Sequence, residues 1–266
     1  MRLAALRLLS LAAAVFLLPG CSSDLHTGTT TSTSSNLTGD WGFGITDPGP
    51  GPFAITELDG ALSGGGQNIT GVFQAASGTG CVSPTFDITF TGTQDDAGDL
   101  TLTSTNLPGN VATITVKGTA FADGNTDIFG SLVITGSGPC AEPSIALLGG
   151  EYPNITGTYT GSLTAGSGAS TPFTVTFSES AANSDGQFPT TGTLTVTGVG
   201  CANVFSLTGL VSGPNLNANL TLISGPQGAG TLSSSFVAQQ SPPTFAVWIN
   251  GSGCNANGYT GSLAKQ

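Results

Sequence analysis

Basic residues are nearly missing from this 266-residue chain, which holds four Lys and Arg against fifteen Asp and Glu. Arg2 and Arg7 lie at the start, so Lys117 and Lys265 are the only basic side chains in the rest of the chain. Binding to nucleic acid needs a basic surface that neutralises phosphates, and attraction to anionic lipid needs the same. The composition therefore excludes both contacts, and any membrane link has to be covalent.

Residues for nucleophilic catalysis are equally scarce. The single histidine, His26, lies close to the N-terminus, so the rest of the chain has no Ser-His-Asp or Cys-His arrangement. Carboxylates are left, and Glu57 and Asp59 stand two residues apart, as paired acids on one strand face of a glycoside hydrolase would. We favour the simpler interpretation of a solvated strand end. We expect the protein not to be an enzyme, and a carboxylate-based hydrolase is the alternative.

The N-terminus is first basic and then apolar. Arg2 and Arg7 precede an apolar run at residues 8–18, which is much shorter than the roughly 20 residues that span a bilayer. This order is typical of a secretory signal peptide, here residues 1–20. The polar, Ser/Thr-rich residues 21–36 that follow predict a flexible tether.

The residues Leu18-Pro19-Gly20-Cys21 resemble the lipobox of bacterial lipoproteins, although Pro19 stands where that family usually has Ala or Ser. In the family, the cysteine is acylated and becomes the mature N-terminus. The resemblance implies that Cys21 carries a lipid anchor and that the protein is attached to a membrane of the bacterial cell envelope. Ser22, directly after the cysteine, implies sorting to the outer membrane.

Short runs of alternating apolar and polar residues fill the rest of the chain. FTVTFSES places Phe173, Val175 and Phe177 on one face and threonines on the other, and FDITFTG follows the same pattern. Only 7% of the residues are charged, and threonine takes the place of charge on the polar face. Alternation of period two between turn residues predicts antiparallel β-structure with one solvated face.

The chain also contains an internal duplication. NLTGDWGFGIT, from Asn36, matches NITGTYTGSLT, from Asn154, at an offset of 118 residues. Two later cysteine-containing segments match in the same order at offsets of 120 and 114. We therefore predict two tandem domains, residues 37–150 and 151–266, each of a normal size for one domain.

Each repeat is expected to be an all-β domain. The second repeat shows eight strand-like segments, near residues 155–164, 171–180, 190–198, 203–211, 215–223, 230–238, 243–251 and 257–264. Eight sequential hairpins predict an antiparallel up-and-down, lipocalin-like β-barrel, which removes exposed sheet edges by closing on itself. A β-sandwich is the alternative.

Four of the five cysteines fit this topology as two bridges. Cys201 follows the third strand of its repeat and Cys254 follows the seventh, and turns after odd-numbered strands lie at the same end of an up-and-down barrel. The same holds for Cys81 and Cys140 in the first repeat. An exported protein meets oxidising conditions, so we predict the disulfides Cys81–Cys140 and Cys201–Cys254. Two cysteines and no histidine in each domain are too few ligands for zinc.

The repeat resembles the tandem β-barrel domains of bacterial lipoproteins of unknown function. Those domains begin with Gly-x-Trp or Gly-x-Tyr and carry Gly-Cys near their end. The matching residues are Gly39-Asp40-Trp41, Gly157-Thr158-Tyr159 and Gly253-Cys254, while Gly138-Pro139-Cys140 has one inserted proline. The resemblance implies a fold and no activity.

Two turns of the first repeat are candidates for a calcium site. Both lie at the barrel end opposite the predicted disulfide, and Ca²⁺ prefers oxygen ligands of this kind. The candidate ligands are Asp95, Asp96, Asp99, Asp123, Asn125 and Asp127. The simpler interpretation is turn chemistry, which favours Asp, Asn and Gly. No other cofactor is expected.

Trp248 is the candidate ligand-binding residue. It alternates with Val247 and Ile249, so it faces outward if those two face inward, where it could stack on a sugar or contact a partner. The simpler interpretation is burial in the core or between the domains. We expect a non-catalytic binding module for a small ligand or an envelope partner. An apolar cavity would favour an interior ligand, and a filled barrel would favour the alternative, a structural or adhesive spacer.

Overall fold

The computed structural model of the chain describes residues 36–46, 55–76, 81–83, 86–107, 111–120, 127–197, 203–224, 228–235, 242–251 and 257–266. These residues form antiparallel strands and one three-residue 3₁₀ turn, Gly138–Cys140. Within these ranges, no helix has the length and apolar character needed to cross a membrane. The predicted signal peptide, Cys21 and most of the tether lie outside the described residues.

The first eight strands close into a barrel, barrel 1, because each strand pairs with the next one and the eighth pairs with the first. The alternation seen in the sequence becomes inward and outward side chains, as in Glu57–Gly65, where Leu58 and Leu62 are buried. The strands are β1 (Gly39–Ile45), β2 (Glu57–Gly65), β3 (Asn68–Ala76), β4 (Asp87–Gln94), β5 (Asp99–Ser104), β6 (Val111–Ala120), β7 (Asp127–Gly136) and β8 (Glu142–Tyr152).

The second half of the chain repeats this topology as barrel 2. Its last two strands pair with β9 (Gly157–Ala165) in one register and together take the place of the eighth strand. Tyr259 pairs with Ala165 and Lys265 pairs with Tyr159, and this pairing closes the sheet. The strands are β9 (Gly157–Ala165), β10 (Ser170–Glu179), β11 (Phe188–Val196), β12 (Asn203–Ser212), β13 (Asn215–Ser224), β14 (Gly228–Ser235), β15 (Thr244–Gly251), β16 (Asn257–Ser262) and β17 (Ala264–Lys265). The prediction of two tandem eight-stranded barrels is confirmed, and the β-sandwich alternative is wrong.

Aromatic side chains fill the barrels at equivalent places. Trp41 is buried and donates its indole N–H to the Leu37 carbonyl at 2.8 Å, while Tyr159 donates its hydroxyl to the Ile155 carbonyl at 3.0 Å. Both donors lie four residues after their acceptors, and the two pairs occupy matching positions of the repeat. The repeated motif therefore plugs each barrel and satisfies a carbonyl at the barrel entrance.

The predicted disulfide of barrel 1 is confirmed. Cys81, between β3 and β4, is bonded to Cys140, at the end of the 3₁₀ turn before β8, with a Cα–Cα distance of 5.7 Å. The two connections meet because both follow odd-numbered strands. Cys201 and Cys254 lie outside the described residues, between β11 and β12 and between β15 and β16.

The two barrels belong to one compact unit and are in contact. Two turns of barrel 2 lie on the outer face of β1, β2 and β3, where the Gln187 side-chain amide donates to Gln74 Oε1 at 3.4 Å. Ala61, which points outward from β2, packs against the core of barrel 2. The approach needs glycine at Gly186, because a Cβ there would lie 2.9 Å from the Val72 carbonyl carbon.

Candidate functional site

Trp248 lies on the outer surface of barrel 2 and is 50% exposed. Its neighbours on β15, Val247 and Ile249, are buried in the barrel core, so strand alternation directs the indole outward. The prediction that Trp248 faces outward is confirmed, and the interpretation of burial is wrong. The exposed indole makes this surface a candidate binding site, because its apolar ring can stack on a ligand and its N–H can donate a hydrogen bond.

Small polar side chains surround the ring because of the sheet register. Thr231 on β14 and Gly258 on β16 stand directly opposite Trp248, and Asn219 lies one strand further along the same row. The neighbouring row consists of Asn217, Ser233, Ala246 and Thr260. We call these residues, together with Trp248, the Trp248 face.

A shallow groove of about 400 Å³ runs along the Trp248 face. The described residues that line it, among them Thr164, Thr231, Ser233 and Trp248, carry no charge. A second groove continues from it along β13 to β16 and shares Ser233 and Thr260. The groove floor is therefore apolar at the ring and bears neutral hydrogen-bonding groups around it.

Gly258 shapes the position of the ring. A Cβ at Gly258 would lie 3.0 Å from Trp248 Cε3 and 3.1 Å from Cζ3, so the indole covers the bare backbone of β16. Glycine in a strand marks a place where another group approaches closely. The ring is held against the sheet, and half of its surface is exposed.

A second cluster of polar side chains lies between the barrels and centres on Asp40. This residue points outward from β1 and is only 6% exposed because a turn of barrel 2 covers it. The backbone N–H of Gly213 donates to Asp40 Oδ1 at 3.1 Å, whereas Oδ2 is buried without a hydrogen-bond partner. Burial raises the pKa of Asp40 to about 8, the Gly213 bond opposes this rise, and nearby Asp59 and Glu179 add to it.

Asp59 is the second acid of this cluster and is half-buried. It stands opposite Gly42, which lies two residues after Asp40 on β1, and its Oδ1 is buried without a hydrogen-bond partner. Burial and the charge of Glu57 raise the pKa of Asp59 to about 7. The interpretation of Glu57 and Asp59 as a solvated strand end is wrong for Asp59, because barrel 2 covers its carboxyl group.

Tyr152, Glu151 and Glu179 complete the surroundings of the two acids. Tyr152 pairs with Asp40 across β8 and β1, and burial together with the Asp59, Glu57 and Asp40 charges raises the pKa of Tyr152 to about 12. Burial also raises the pKa of Glu151 and of Glu179. The cluster therefore gathers acids from both barrels. Strand alternation does place Asp40 on the outer face, but the sequence gives no sign that a second domain covers it.

Asp95 and Asp99, two of the predicted calcium ligands, form hydrogen bonds in and beside the turn between β4 and β5. Asp95 Oδ1 accepts the backbone N–H groups of Ala97 and Asp99, each at 2.9 Å, and the Thr119 hydroxyl donates to Asp99 Oδ1 at 2.7 Å. These bonds are those of an Asx turn. Asp96 is exposed, Asp127 begins β7, and Asp123 and Asn125 lie outside the described residues. Among the described residues, no three His, Cys, Asp or Glu side chains are placed to hold a metal ion, and the calcium site stays a prediction.

No protein-family model matches the chain, and no curated protein matches its sequence.

Proposed function

We propose that the protein is a non-catalytic binding module of the bacterial cell envelope and that the Trp248 face binds a neutral saccharide. The half-exposed indole of Trp248 carries this proposal. An aromatic ring that is apolar on its surface and polar at its N–H suits a ligand with alternating C–H and hydroxyl faces. The chemistry of the surrounding side chains favours a sugar over an apolar ligand.

The hydrogen-bonding groups beside the ring are neutral and small. Hydroxyls such as those of Thr231 and Ser233 both donate and accept, and the Asn217 and Asn219 amides do the same with fixed geometry. Sugar hydroxyls require this mixture of donors and acceptors. The formal net charge of the chain is −11, which repels acidic saccharides and favours neutral ones.

The packing of the interiors supports a surface site over an interior ligand. Each barrel contains a continuous cluster of buried apolar side chains, including Phe73 and Phe90 in barrel 1 and Phe173 and Phe205 in barrel 2. An eight-stranded barrel has an interior that side chains can fill. A filled interior leaves the outer face as the place for recognition.

Tryptophan fluorescence tests the proposal directly, because the chain has only two tryptophans and Trp41 is buried in barrel 1. We expect a neutral oligosaccharide from a panel of glucose-, galactose- and mannose-based chains to change the Trp248 emission and to protect it from acrylamide quenching. Uronic-acid oligosaccharides serve as the charged comparison. Trp248→Ala should weaken binding at least about tenfold, which corresponds to 1.4 kcal/mol.

Phe129→Ala is the matched control, because Phe129 is 52% exposed but lies on barrel 1. This variant should bind the saccharide as the unmodified protein does. Equal binding by Trp248→Ala would assign the saccharide to another surface. Absence of binding across the panel would contradict the proposal and favour the structural or adhesive spacer, which the filled interiors also suit.

We also propose that Cys21 is the acylated N-terminus and that a second disulfide joins Cys201 and Cys254. The bonded pair of barrel 1 supports the bridge, because Cys201 and Cys254 occupy the corresponding connections of barrel 2. The mass of the protein purified from membranes checks both proposals. We expect cleavage before Cys21, added acyl chains and the loss of four hydrogens. A free thiol or a soluble Cys21 form would contradict them, and Cys21→Ser should release the protein from the membrane.

A further inference from the structure

Beyond ligand binding, the contact between the barrels contains two acids with buried carboxyl oxygens and no basic partner. Asp40 Oδ2 and Asp59 Oδ1 are both inaccessible to solvent and lack a hydrogen-bond partner. An ionised carboxylate in this position loses most of its hydration, and the one Gly213 hydrogen bond to Asp40 replaces only part of it, whereas a protonated carboxyl has far less to lose. The geometry alone therefore favours the neutral form of both groups.

The charges around the two acids act in the same direction. Glu57 on β2 and Glu179 on β10 are acidic, and each repels the ionised form of one of the pair. Glu151 and Tyr152, which come from β8, are themselves harder to ionise here than in water. Lys265 stabilises the charge of Glu179 on barrel 2, and it is not among the groups that perturb Asp40 or Asp59.

We propose that Asp40 and Asp59 form a proton-operated contact between the barrels, in which the protonated carboxyls hold barrel 2 on barrel 1 and their ionisation opens the contact. A proton fits this place better than a metal ion. The unpartnered oxygens are closed to a probe the size of water, so a hydrated cation has no room beside them. A proton needs no such room, and it passes to solvent when the contact opens.

The direction of the pH effect follows from the raised pKa values. In separated barrels both carboxyls would face water and titrate near the ordinary value of about 3.9. In the contact their pKa values are about 8 for Asp40 and about 7 for Asp59. The contact thus binds more protons than the open state, so it is strongest below about pH 4 and weakens as the pH rises through 7 and 8.

Hydrogen exchange of the Gly213 amide in the full chain tests the proposal, because that N–H donates across the contact. Its protection should be compared with that of the Leu207 amide in the β12 ladder of the same barrel, after correction for the intrinsic pH dependence. The contact should weaken by about tenfold per pH unit for each proton released. We therefore expect relative protection of Gly213 to fall at least about tenfold between pH 6 and pH 9.

The double variant Asp40→Asn/Asp59→Asn imitates the protonated pair and should keep Gly213 protected at both pH values. Asp96→Asn, at an exposed turn, is the matched control and should behave as the unmodified protein does. Carboxyl ¹³C titration of the unmodified protein gives a second measurement that does not depend on any variant. Titration of both acids near pH 4, or Gly213 protection that does not change up to pH 9, would overturn the proposal. Loss of protection at pH 6 on addition of EDTA would assign the contact to a metal ion instead.

Discussion

The backbone N–H of Gly213, in barrel 2, donates a 3.1 Å hydrogen bond to Asp40 Oδ1, in barrel 1, across 173 residues of sequence. Gly213 adopts a φ of +54°, which a glycine tolerates and most other residues do not. The tight turn between β12 and β13 thereby brings a bare backbone amide onto a buried carboxyl. This pair is one of the contacts that join the two repeats, and Gly213 also lies against Asp59.

Gly213→Ala should weaken the contact between the barrels. A Cβ there would lie 2.6 Å from Asp59 Cγ, and the left-handed backbone would be strained as well. We expect a loss of about 2–6 kcal/mol, since strain and overpacking each cost about 1–3 kcal/mol. Urea unfolding and the exchange rate of the Gly213 region measure the loss.

Gly168→Ala is the matched control for this prediction. Gly168 also has a positive φ, of +84°, but a Cβ there meets nothing within 4 Å. It should show the cost of backbone strain alone, and the contact between the barrels should stay intact. Equal effects of the two substitutions would mean that the close approach to Asp59 is unimportant for docking.

Most of the fold could be predicted because the alternation of apolar and polar residues along each strand shows which side chains face the core and which face solvent. The alternation of Phe173, Val175 and Phe177 with threonine sets the inward side of β10, and turn residues set the strand ends. The order of hairpins then determined which turns share a barrel end, and this was enough to pair Cys81 with Cys140. These inferences need only local sequence and the geometry of a meander.

The contact between the barrels could not be predicted in the same way. Alternation places Asp40 outward, but it does not say which part of an outer face a second domain covers. Asp40 differs from Thr158, the matching residue of the second repeat, but this difference alone does not indicate a contact. The acidic turn shows a different limit of sequence reasoning. Its acids suggested an ion, whereas the Asp95 side chain accepts hydrogen bonds from backbone N–H groups of its own turn.

Removal of the disulfide should destabilise barrel 1. The bridge closes a segment with a sequence separation of 59, and the chain-entropy model gives a loss of about 4 kcal/mol for a loop of this size. Cys81→Ser/Cys140→Ser in a Trp248→Phe background leaves Trp41 as the only tryptophan, so its emission follows barrel 1 in a urea titration. An unchanged midpoint would show that packing alone determines the stability of this barrel.

Tyr159→Phe should destabilise barrel 2 by about 1–3 kcal/mol, because the Ile155 carbonyl would stay buried without its donor. The substitution keeps the aromatic ring, which packs against Phe177 and Phe245 at centroid distances of 5.4 and 5.8 Å. Thermal unfolding compared with that of the unmodified protein measures the effect. No change in stability would mean that water replaces the hydroxyl and that the ring alone fills the barrel entrance.

Gly258→Ala should lower saccharide affinity without unfolding barrel 2. The added methyl would lie 3.0 Å from the Trp248 ring, so the indole has to move by a few tenths of an ångström or tilt away from the sheet. A stacking surface that tilts loses contact with a flat ligand, and we expect binding to weaken several-fold, less than in Trp248→Ala. Gly44→Ala is the matched control, because a Cβ at that outward position of β1 meets nothing within 4 Å.

Fluorescence titration with the same oligosaccharide distinguishes the two variants. If Gly258→Ala binds as tightly as Gly44→Ala, the position of the ring is not what the ligand recognises, and hydrogen bonds to Thr231 or Asn219 would have to account for binding instead.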